Sequence, residues 1–400
     1  MRRFRVAMVA ACPFPAAFAS SGLIREMALA LKSNGHDVHV ITYHLGNSNI
    51  TIEGIPVHRI PNVPGYNKRC SGIAPTKPFL DVLLAFKLLN TLKQYPFDII
   101  HTHNYEAPPT GYLARIKWKI PVVYHAHNTL LHELPSYFQN RFLRSFARLS
   151  GSILDRLIPH RADHVITLSQ EQTDYLASIG VSRDKMTLIP PSVSPSLFIG
   201  GDGASIRQQL GIGSAPLIIY TGGLQPYQNC ILLIELLKYC IPHIPDLHLL
   251  ILARSADHLL KKVASQAGLN DRIHILQGQG LAYEKDCLAA SNIGIIPRIH
   301  CIGFPIKLLN YTAAGLPVVC FESLKKGFVH EKELLAAPDG DIGAMGEHVI
   351  RLVRDPKLGV SLAAAAQKRL LTHHGWPTAI DTFEKIYERL TSNRNTRSRQ

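Results

Sequence analysis

The sequence predicts an α/β protein made of two doubly wound, Rossmann-like domains in tandem. Short apolar runs that end in polar residues recur along the 400 residues, helical stretches separate these runs, and a segment rich in Pro, Gly and Ser divides the series in two. Apolar runs without alternation are typical of parallel strands that are buried on both faces. The chain is 46% apolar, which is enough to bury a core in each of two domains.

The first series predicts an N-terminal domain over residues 1–195. It opens with an apolar run at 5–11, followed by a loop and a helix over 23–36 that stops at Asn34-Gly35, a typical helix C-cap. Further strands are predicted at 37–43, 97–103, 121–127 and 163–169. This alternation of strands and helices indicates a parallel sheet.

The second series follows a linker that begins at 191, and it predicts a C-terminal domain over 196–376. Its strands are predicted at 216–222, 247–253, 272–278, 292–298 and 316–322. A last helix at 377–390 is expected to return to the first domain, and 391–400 is expected to be a disordered basic tail. Ligands of open parallel sheets bind beyond the carboxyl ends of the strands, so we expect a substrate cleft between the two domains.

The net charge of +14 results from 43 Lys and Arg against 29 Asp and Glu. Charged residues make up only 18% of the chain, below the roughly 25% of average soluble domains, so the excess reflects a shortage of acids. This weakens the interpretation of a nucleic-acid-coating protein, and the sequence contains no zinc knuckle or RNA-binding aromatic motif. We expect no nucleic-acid partner.

The seven cysteines are scattered and never spaced as CxxC, which indicates thiols in a reducing compartment and argues against zinc ligands or a disulfide framework. The N-terminus imitates a secretory signal, but its apolar run is short and Pro13 and Pro15 interrupt it. No run of 18 apolar residues predicts a transmembrane helix. We therefore expect a cytoplasmic protein.

Several segments carry a more specific pattern. They are GLIREMALALKSNGHDVHVIT, FDIIHTHN, IPVVYHAHN, ADHVITLSQ followed by IPPSV, YTGGLQPYQN and GFPIKLLNYTAAGLPVV. In this order they resemble the retaining glycosyltransferases of GT-B fold, specifically the glycogen-synthase-like family 4. The resemblance implies two domains that face a central cleft. It also implies metal-independent transfer, without a cofactor, from a nucleotide diphosphate sugar to a glycan, lipid or small-molecule acceptor.

The segment 303–319 is close to the donor-site signature of that family. Gly303 and Phe304 form a turn before a helix, and a helix N-terminus with its unpaired N–H groups suits a diphosphate. Lys307 adds a cation in the first turn, although a side chain that points to solvent remains the alternative. Gly222 and Gly223 belong to the matching turn of YTGGLQPYQN.

The donor segments also depart from the family. Ile302 and Asn310 stand where two glutamates are usual, and Gly223 and Gln228 stand where an Arg and a Lys usually hold the diphosphate. An Asn amide can still hydrogen-bond ribose hydroxyls, whereas Ile cannot. The replacement cations that we consider are Lys307, Arg254 and Arg298, and a solvated rim position stays open for the two arginines.

In the front domain, the resemblance assigns roles to three residues. Gly22 matches the glycine that lets the backbone approach the diphosphate, Ser21 is expected to hydrogen-bond phosphate or sugar, and His127 matches the histidine of the cleft. The histidines of the two HxH patterns, His101, His103 and His125, rank second because we do not expect alternating residues to face one cleft together. No acid or cysteine completes a ligand set around them, so no metal site is expected.

Residues 138–161 form a basic amphipathic stretch in which arginines alternate with large apolar residues. Such a stretch is typical of a helix that lies on an anionic membrane surface, here the inner face of the membrane. The alternative is that its apolar side packs on the sheet of its own domain.

Two further functions remain open because of the departures in the donor segments. One is a GT-B protein that has lost transfer and binds or scaffolds a partner. The other is a sugar epimerase of the same fold, which predicts a product in the absence of any acceptor.

Overall fold

The computed structural model describes residues 2–15, 19–46, 51–66, 74–253 and 258–397 and divides into two α/β units. Unit 1 comprises Met1–Ser192, Ile302–Phe304 and Trp376–Gln400, and unit 2 comprises Val193–Cys301 and Pro305–Gly375. The predicted α/β class with two parallel sheets is confirmed. The first boundary lies at 192/193, against the predicted 195/196.

Unit 1 is built on one sheet with the strand order β3-β4-β2-β1-β5-β6-β7-β8. Every neighbouring pair is parallel except the short β3–β4 pair. The strands are β1 Arg5–Ala10, β2 Asp37–Thr42, β3 Thr51–Ile52, β4 Ile55–Arg59, β5 Ile99–His103, β6 Val122–Ala126, β7 His164–Thr167 and β8 Met186–Leu188. The helices are α1 Ala19–Ser33, α2 Lys77–Gln94, α3 Ala107–Trp118, α4 Leu130–Glu133, α5 Arg141–Arg161 and α6 Gln170–Ser178.

Unit 2 has a six-stranded, wholly parallel sheet with the order β11-β10-β9-β12-β13-β14. The strands are β9 Leu217–Gly222, β10 His248–Ala253, β11 Ile273–Gln277, β12 Ile293–Ile296, β13 Val318–Phe321 and β14 Leu335–Ala337. The helices are α7 Gly203–Leu210, α8 Leu232–Cys240, α9 His258–Gln266, α10 Leu281–Ala290, α11 Ile306–Ala313, α12 Ile342–Arg354 and α13 Pro356–His373. The apolar runs that predict the central strands are buried, as parallel strands covered on both faces require.

The last helix, α14 Trp376–Arg397, belongs to unit 1 and buries Ile380, Phe383, Ile386 and Tyr387 in the core beside α1 and β1. It continues past the predicted end at 390, through residues for which a disordered tail was expected. The segment from 391 to 397 contains no Gly or Pro to stop a helix. Residues 398–400 lie outside the described part of the chain.

Candidate active site

Lys307 is anchored at the end of β9 by contacts inside unit 2. It stands in the first turn of α11, where its Nζ lies 3.8 Å from the ring centroid of Tyr220 and donates to the Gln228 side-chain oxygen at 3.3 Å. The predicted alternative, a side chain directed only to solvent, is therefore wrong. Neither of these two contacts supplies a negative charge, and the first N–H groups of a helix lack partners within the helix. An anion bound at this end of α11 would therefore meet the Lys307 ammonium and the first N–H groups of the helix.

The turn after β9 brings two predicted glycines to the same place. Gly222 has a φ of +130°, and a Cβ built there would lie 3.2 Å from Lys307 Nζ, so a side chain at this position would be strained and would crowd the cation. Tyr220 donates its O–H to the Gly223 carbonyl at 2.5 Å, and burial raises the pKa of this phenol well above its usual range. The structure thus brings Gly222, Gly223, Gln228 and Lys307 together.

The segment Ile302–Phe304, which precedes α11, is held within unit 1. Ser169 Oγ donates to the Ile302 carbonyl at 2.5 Å, and a Cβ built on Gly303 would lie 2.7 Å from the His127 carbonyl oxygen. Glycine is therefore required at 303 by the close approach of two backbones. Phe304 is buried, so its side chain packs in the interior of the protein.

His127 follows β6, and its Nε2 lies 3.2 Å from His103 Nδ1. Burial lowers the pKa of His127 to about 4, so the imidazole is neutral near pH 7. A neutral imidazole offers one N–H donor and one acceptor, which suits hydrogen bonds to sugar hydroxyls.

The structure places His101, His103 and His125 on the same side of the sheet. Residues two apart on a strand point to the same side of the sheet, and the register of β5 and β6 sets His103 opposite His125. The rings of His101 and His103 stack at 4.8 Å, and those of His125 and His127 lie 5.0 Å apart. All four imidazoles therefore form one cluster.

Ser21 and Gly22 lie in the first turn of α1 and not in a loop before the helix, which is a correction of the predicted boundary. Ser21 is buried. A Cβ built on Gly22 would meet no atom within 4 Å, so the structure gives no steric reason for glycine at this position.

Comparisons with known proteins agree with this architecture. Residues 22–197 match Glycosyltransferase Family 4, and residues 202–369 match Glycosyl transferases group 1. The D-inositol 3-phosphate glycosyltransferase of Nocardia farcinica is 22% identical over 56% of this chain, which spans about half (51%) of that relative's length. The sucrose-phosphate synthase of Thermosynechococcus elongatus superposes with a TM-score of 0.82 at 18% identity, over 98% of this chain and 100% of the other. HepE of Anabaena, in complex with UDP and glucose, gives a TM-score of 0.76 at 18% identity over the same shares.

The chain therefore contains a Glycosyltransferase Family 4 domain followed by a Glycosyl transferases group 1 domain and has the GT-B fold. The two family matches together cover most of its length, and the fold is shared with the solved structures.

Within unit 2, Glu284 is a residue that the sequence did not single out. It lies in the first turn of α10, and its Oε1 accepts a long hydrogen bond of 3.5 Å from Asn310 Nδ2. A carboxylate thus lies beside the Asn310 amide. Nothing in the local sequence around 284 indicates that α10 brings it to α11.

The two predicted replacement arginines have different outcomes. Arg298 donates from Nε to the His300 carbonyl at 2.7 Å, and its guanidinium lies 4.9 Å from the Tyr227 ring centroid. These contacts hold it against the loop that follows β12. Arg254 lies outside the described residues.

Helix α5 presents its large apolar residues outward, so the alternative that they pack on the sheet is wrong. Phe142 is 81% exposed and Phe146 65%. We name the exposed set the α5 apolar face; it consists of Phe142, Phe146, Leu149, Ile153 and Leu157. The buried, inward side of the helix is formed by five residues: Ala147, Gly151, Asp155, Ile158 and Pro159. In the described part of the chain, no helix has the length and apolar content required to cross a membrane.

Proposed function

We propose that this glycosyltransferase transfers a sugar from a nucleotide diphosphate donor with retention of configuration, and that Lys307 replaces the usual pair of diphosphate-binding cations. The observation that carries the proposal is the position of the Lys307 ammonium, beside Gly222 and Gln228 at the N-terminal end of α11. The complex of HepE with UDP and glucose supports a uridine diphosphate sugar as the first donor to try.

The chemistry follows from where charge develops. When the bond between the sugar and the diphosphate breaks, negative charge grows on the leaving phosphate, and a preorganised cation with backbone N–H groups stabilises that charge. The leaving phosphate accepts the proton of the acceptor hydroxyl, so no protein nucleophile and no metal at the diphosphate are needed. Asn310, with Glu284 beside it, is the proposed contact for the ribose hydroxyls, and His127 for the donor sugar. Gly22 and Ser21 remain proposed donor contacts.

The experiment is a thermal-shift and transfer screen over nucleotide sugars, with free sugars, polyols and lipid extracts as acceptors and with EDTA present in parallel. Lys307→Gln should lower kcat by about 10²–10³-fold with a donor that the native protein uses. The matched control is Lys357→Gln, an exposed lysine on α13 of the same unit. Product configuration, read from the anomeric NMR signal, tests retention.

A set of substitutions separates a specialised site from an eroded one. Gln228→Lys would put a second ammonium beside Lys307, so in an active enzyme we expect it to lower turnover through repulsion. If native protein neither turns over nor binds any donor, and Gln228→Lys together with Gly223→Arg, Ile302→Glu and Asn310→Glu restores nothing, the proposal fails. Release of an altered sugar without any acceptor would instead indicate an epimerase.

We further propose that the α5 apolar face docks on an anionic membrane surface and gives access to a lipid-linked acceptor. Arg141, Arg144, Arg148 and Arg156 are exposed on the same helix, every residue of which is described, and its single acid, Asp155, is buried. On α3, which packs beside α5, Leu113 and Ile116 are more than half exposed. Apolar side chains among exposed cations match the interfacial region of an anionic leaflet.

Flotation with vesicles tests this surface. Wild-type protein should float with vesicles that contain phosphatidylglycerol and much less with phosphatidylcholine alone. Phe146→Ser should weaken binding about tenfold or more, because burial of an aromatic side chain is worth roughly 1.5–3 kcal/mol. Leu371→Ser, which changes a 67% exposed leucine of unit 2, is the matched control and should bind as wild type. Equal flotation of the two variants would contradict the proposal.

A further inference from the structure

The interior of unit 1 contains three histidines whose ring nitrogens converge. One nitrogen from each of His101, His103 and His125 lies within 4.8 Å of the others, and all three residues are at most 3% exposed. The sequence suggested no ligand set here because no acid or cysteine accompanies the HxH patterns. The third ligand is instead an imidazole from the adjacent strand, brought opposite His103 by the register of β5 and β6.

Two of these imidazoles have buried nitrogens that no group in the structure satisfies. His103 Nε2 and His125 Nε2 have no hydrogen-bond partner among the residues that the structure describes, although both are shielded from solvent. Buried polar atoms in proteins are nearly always satisfied, so two such atoms in one cluster point to a ligand.

The opposite nitrogens of two rings are already oriented by hydrogen bonds. His101 Nδ1 lies 2.6 Å from the Tyr387 hydroxyl, and His103 Nδ1 lies 3.2 Å from His127 Nε2. This is the pattern of metal-binding histidines, in which one ring nitrogen holds the ion and the other is hydrogen-bonded to a group that fixes the ring. His101 Nε2 lies 3.2 Å from His125 Nδ1, so an ion held by the Nε2 atoms of His103 and His125 would take the place of this hydrogen bond at His101 Nε2.

We propose that His101, His103 and His125 form a tri-imidazole site for one first-row transition-metal ion. Nitrogen-only ligation favours Zn²⁺ or its neighbours over Mg²⁺ and Ca²⁺, which prefer oxygen. The ion fixes the His103 ring and, through its hydrogen bond, orients His127. The site lies within unit 1 and does not depend on the proposed donor chemistry.

The test uses the full chain and Zn²⁺ alone as the probe. Metal content is measured after purification without added metal, then again after prolonged dialysis against a chelator. One equivalent of Zn²⁺ should bind to the stripped protein and raise its Tm by several degrees, since a ligand at about 100 times its Kd stabilises the native state measurably. Co²⁺ in place of Zn²⁺ should give visible d–d absorption bands typical of an ion bound by imidazole nitrogens.

Variants assign the effect to the cluster. His103→Gln and His125→Gln should each abolish the Tm rise with Zn²⁺ and the Co²⁺ spectrum. The matched control is His58→Gln, because His58 and His39 form a pair of imidazoles at 2.9 Å in the same sheet but belong to no group of three converging ligand atoms among the described residues. If the control loses the zinc effect while His103→Gln keeps it, the site is elsewhere and the proposal fails. The proposal also fails if stripped wild-type protein shows neither stoichiometric binding nor a Tm change, which would leave the histidines as a hydrogen-bonded packing cluster.

Discussion

Helices α5 and α14 of unit 1 arise from the same kind of sequence pattern but use it in opposite ways. In α14, the apolar residues Phe383 and Tyr387 are 1% and 0% exposed and pack in the core. In α5, Phe142 and Phe146 are 81% and 65% exposed. The periodicity that predicts an amphipathic helix therefore does not say which side of the helix faces the protein.

The inward side of α5 explains the difference. A Cβ built on Gly151 would lie 2.6 Å from the Leu130 carbonyl oxygen, so the helix lies too close to α4 for a larger side chain. Asp155 accepts hydrogen bonds from the Leu130 and Leu131 amides at 2.8 and 2.9 Å and so holds the exposed amides at the start of α4. A glycine and a carboxylate four residues apart fix this face inward, and the large apolar residues are left on the other side.

The largest expected effect is in α14. Phe383→Ala should lower the unfolding free energy by about 3–5 kcal/mol, because it removes a fully buried aromatic ring and leaves a cavity. Both tryptophans, Trp118 and Trp376, belong to unit 1, so tryptophan fluorescence during urea unfolding reports on this unit. A loss below 1 kcal/mol would mean that α14 contributes little to the core and that the contrast with α5 does not hold.

The parts of this fold that the sequence predicts well are those set by local pattern. The central strands and the helix inside the segment 303–319 follow from runs that are continuous in sequence, whereas the meeting of Lys307 with Gln228 joins positions 79 residues apart and was expected only from the family resemblance. The contact between Asn310 and Glu284 does not follow, because it depends on how α10 and α11 pack in unit 2.

The histidine cluster was missed for a different reason. His101, His103 and His125 were all recognised at strand ends, but their convergence depends on the register between β5 and β6. That register is a long-range property, since the paired His103 and His125 are 22 positions apart in the sequence. The outward orientation of α5 was equally hidden, because Gly151 and Asp155, which hold the inward side against α4, do not stand out as an apolar stripe in the sequence.

A pH experiment examines the inward face of α5. Burial raises the pKa of Asp155 to about 6, against an ordinary 3.8, and the hydrogen bonds from the Leu130 and Leu131 amides only partly offset this rise. Between these two pKa values the Asp155 carboxyl is ionised in the unfolded chain but still protonated in the folded chain. The unfolding free energy therefore falls as the pH rises from about 4 to about 6 and is level above about 6. The stability of wild type relative to Asp155→Asn should fall by at most about 3 kcal/mol over this range.

The opposite slope would be equally informative. If wild type gains stability over Asp155→Asn as the pH rises, the two amide hydrogen bonds outweigh burial, and the carboxylate is held in its charged form. The measurement is the difference between two urea midpoints, converted with the measured m-value, at each pH.

The smallest expected effect is on the α5 apolar face. Leu149 is 60% exposed, so Leu149→Ser removes little buried surface, and the unfolding free energy should change by no more than about 0.5 kcal/mol. The same tryptophan-monitored unfolding measures it beside Phe383→Ala, so the two helices are compared in one assay. A loss above about 1 kcal/mol would show that this face is packed in solution, for example against a second copy of the chain, and a dependence of the midpoint on protein concentration would identify that case. An unchanged midpoint together with weaker vesicle binding would mean that the α5 apolar face is needed for membrane binding and not for folding.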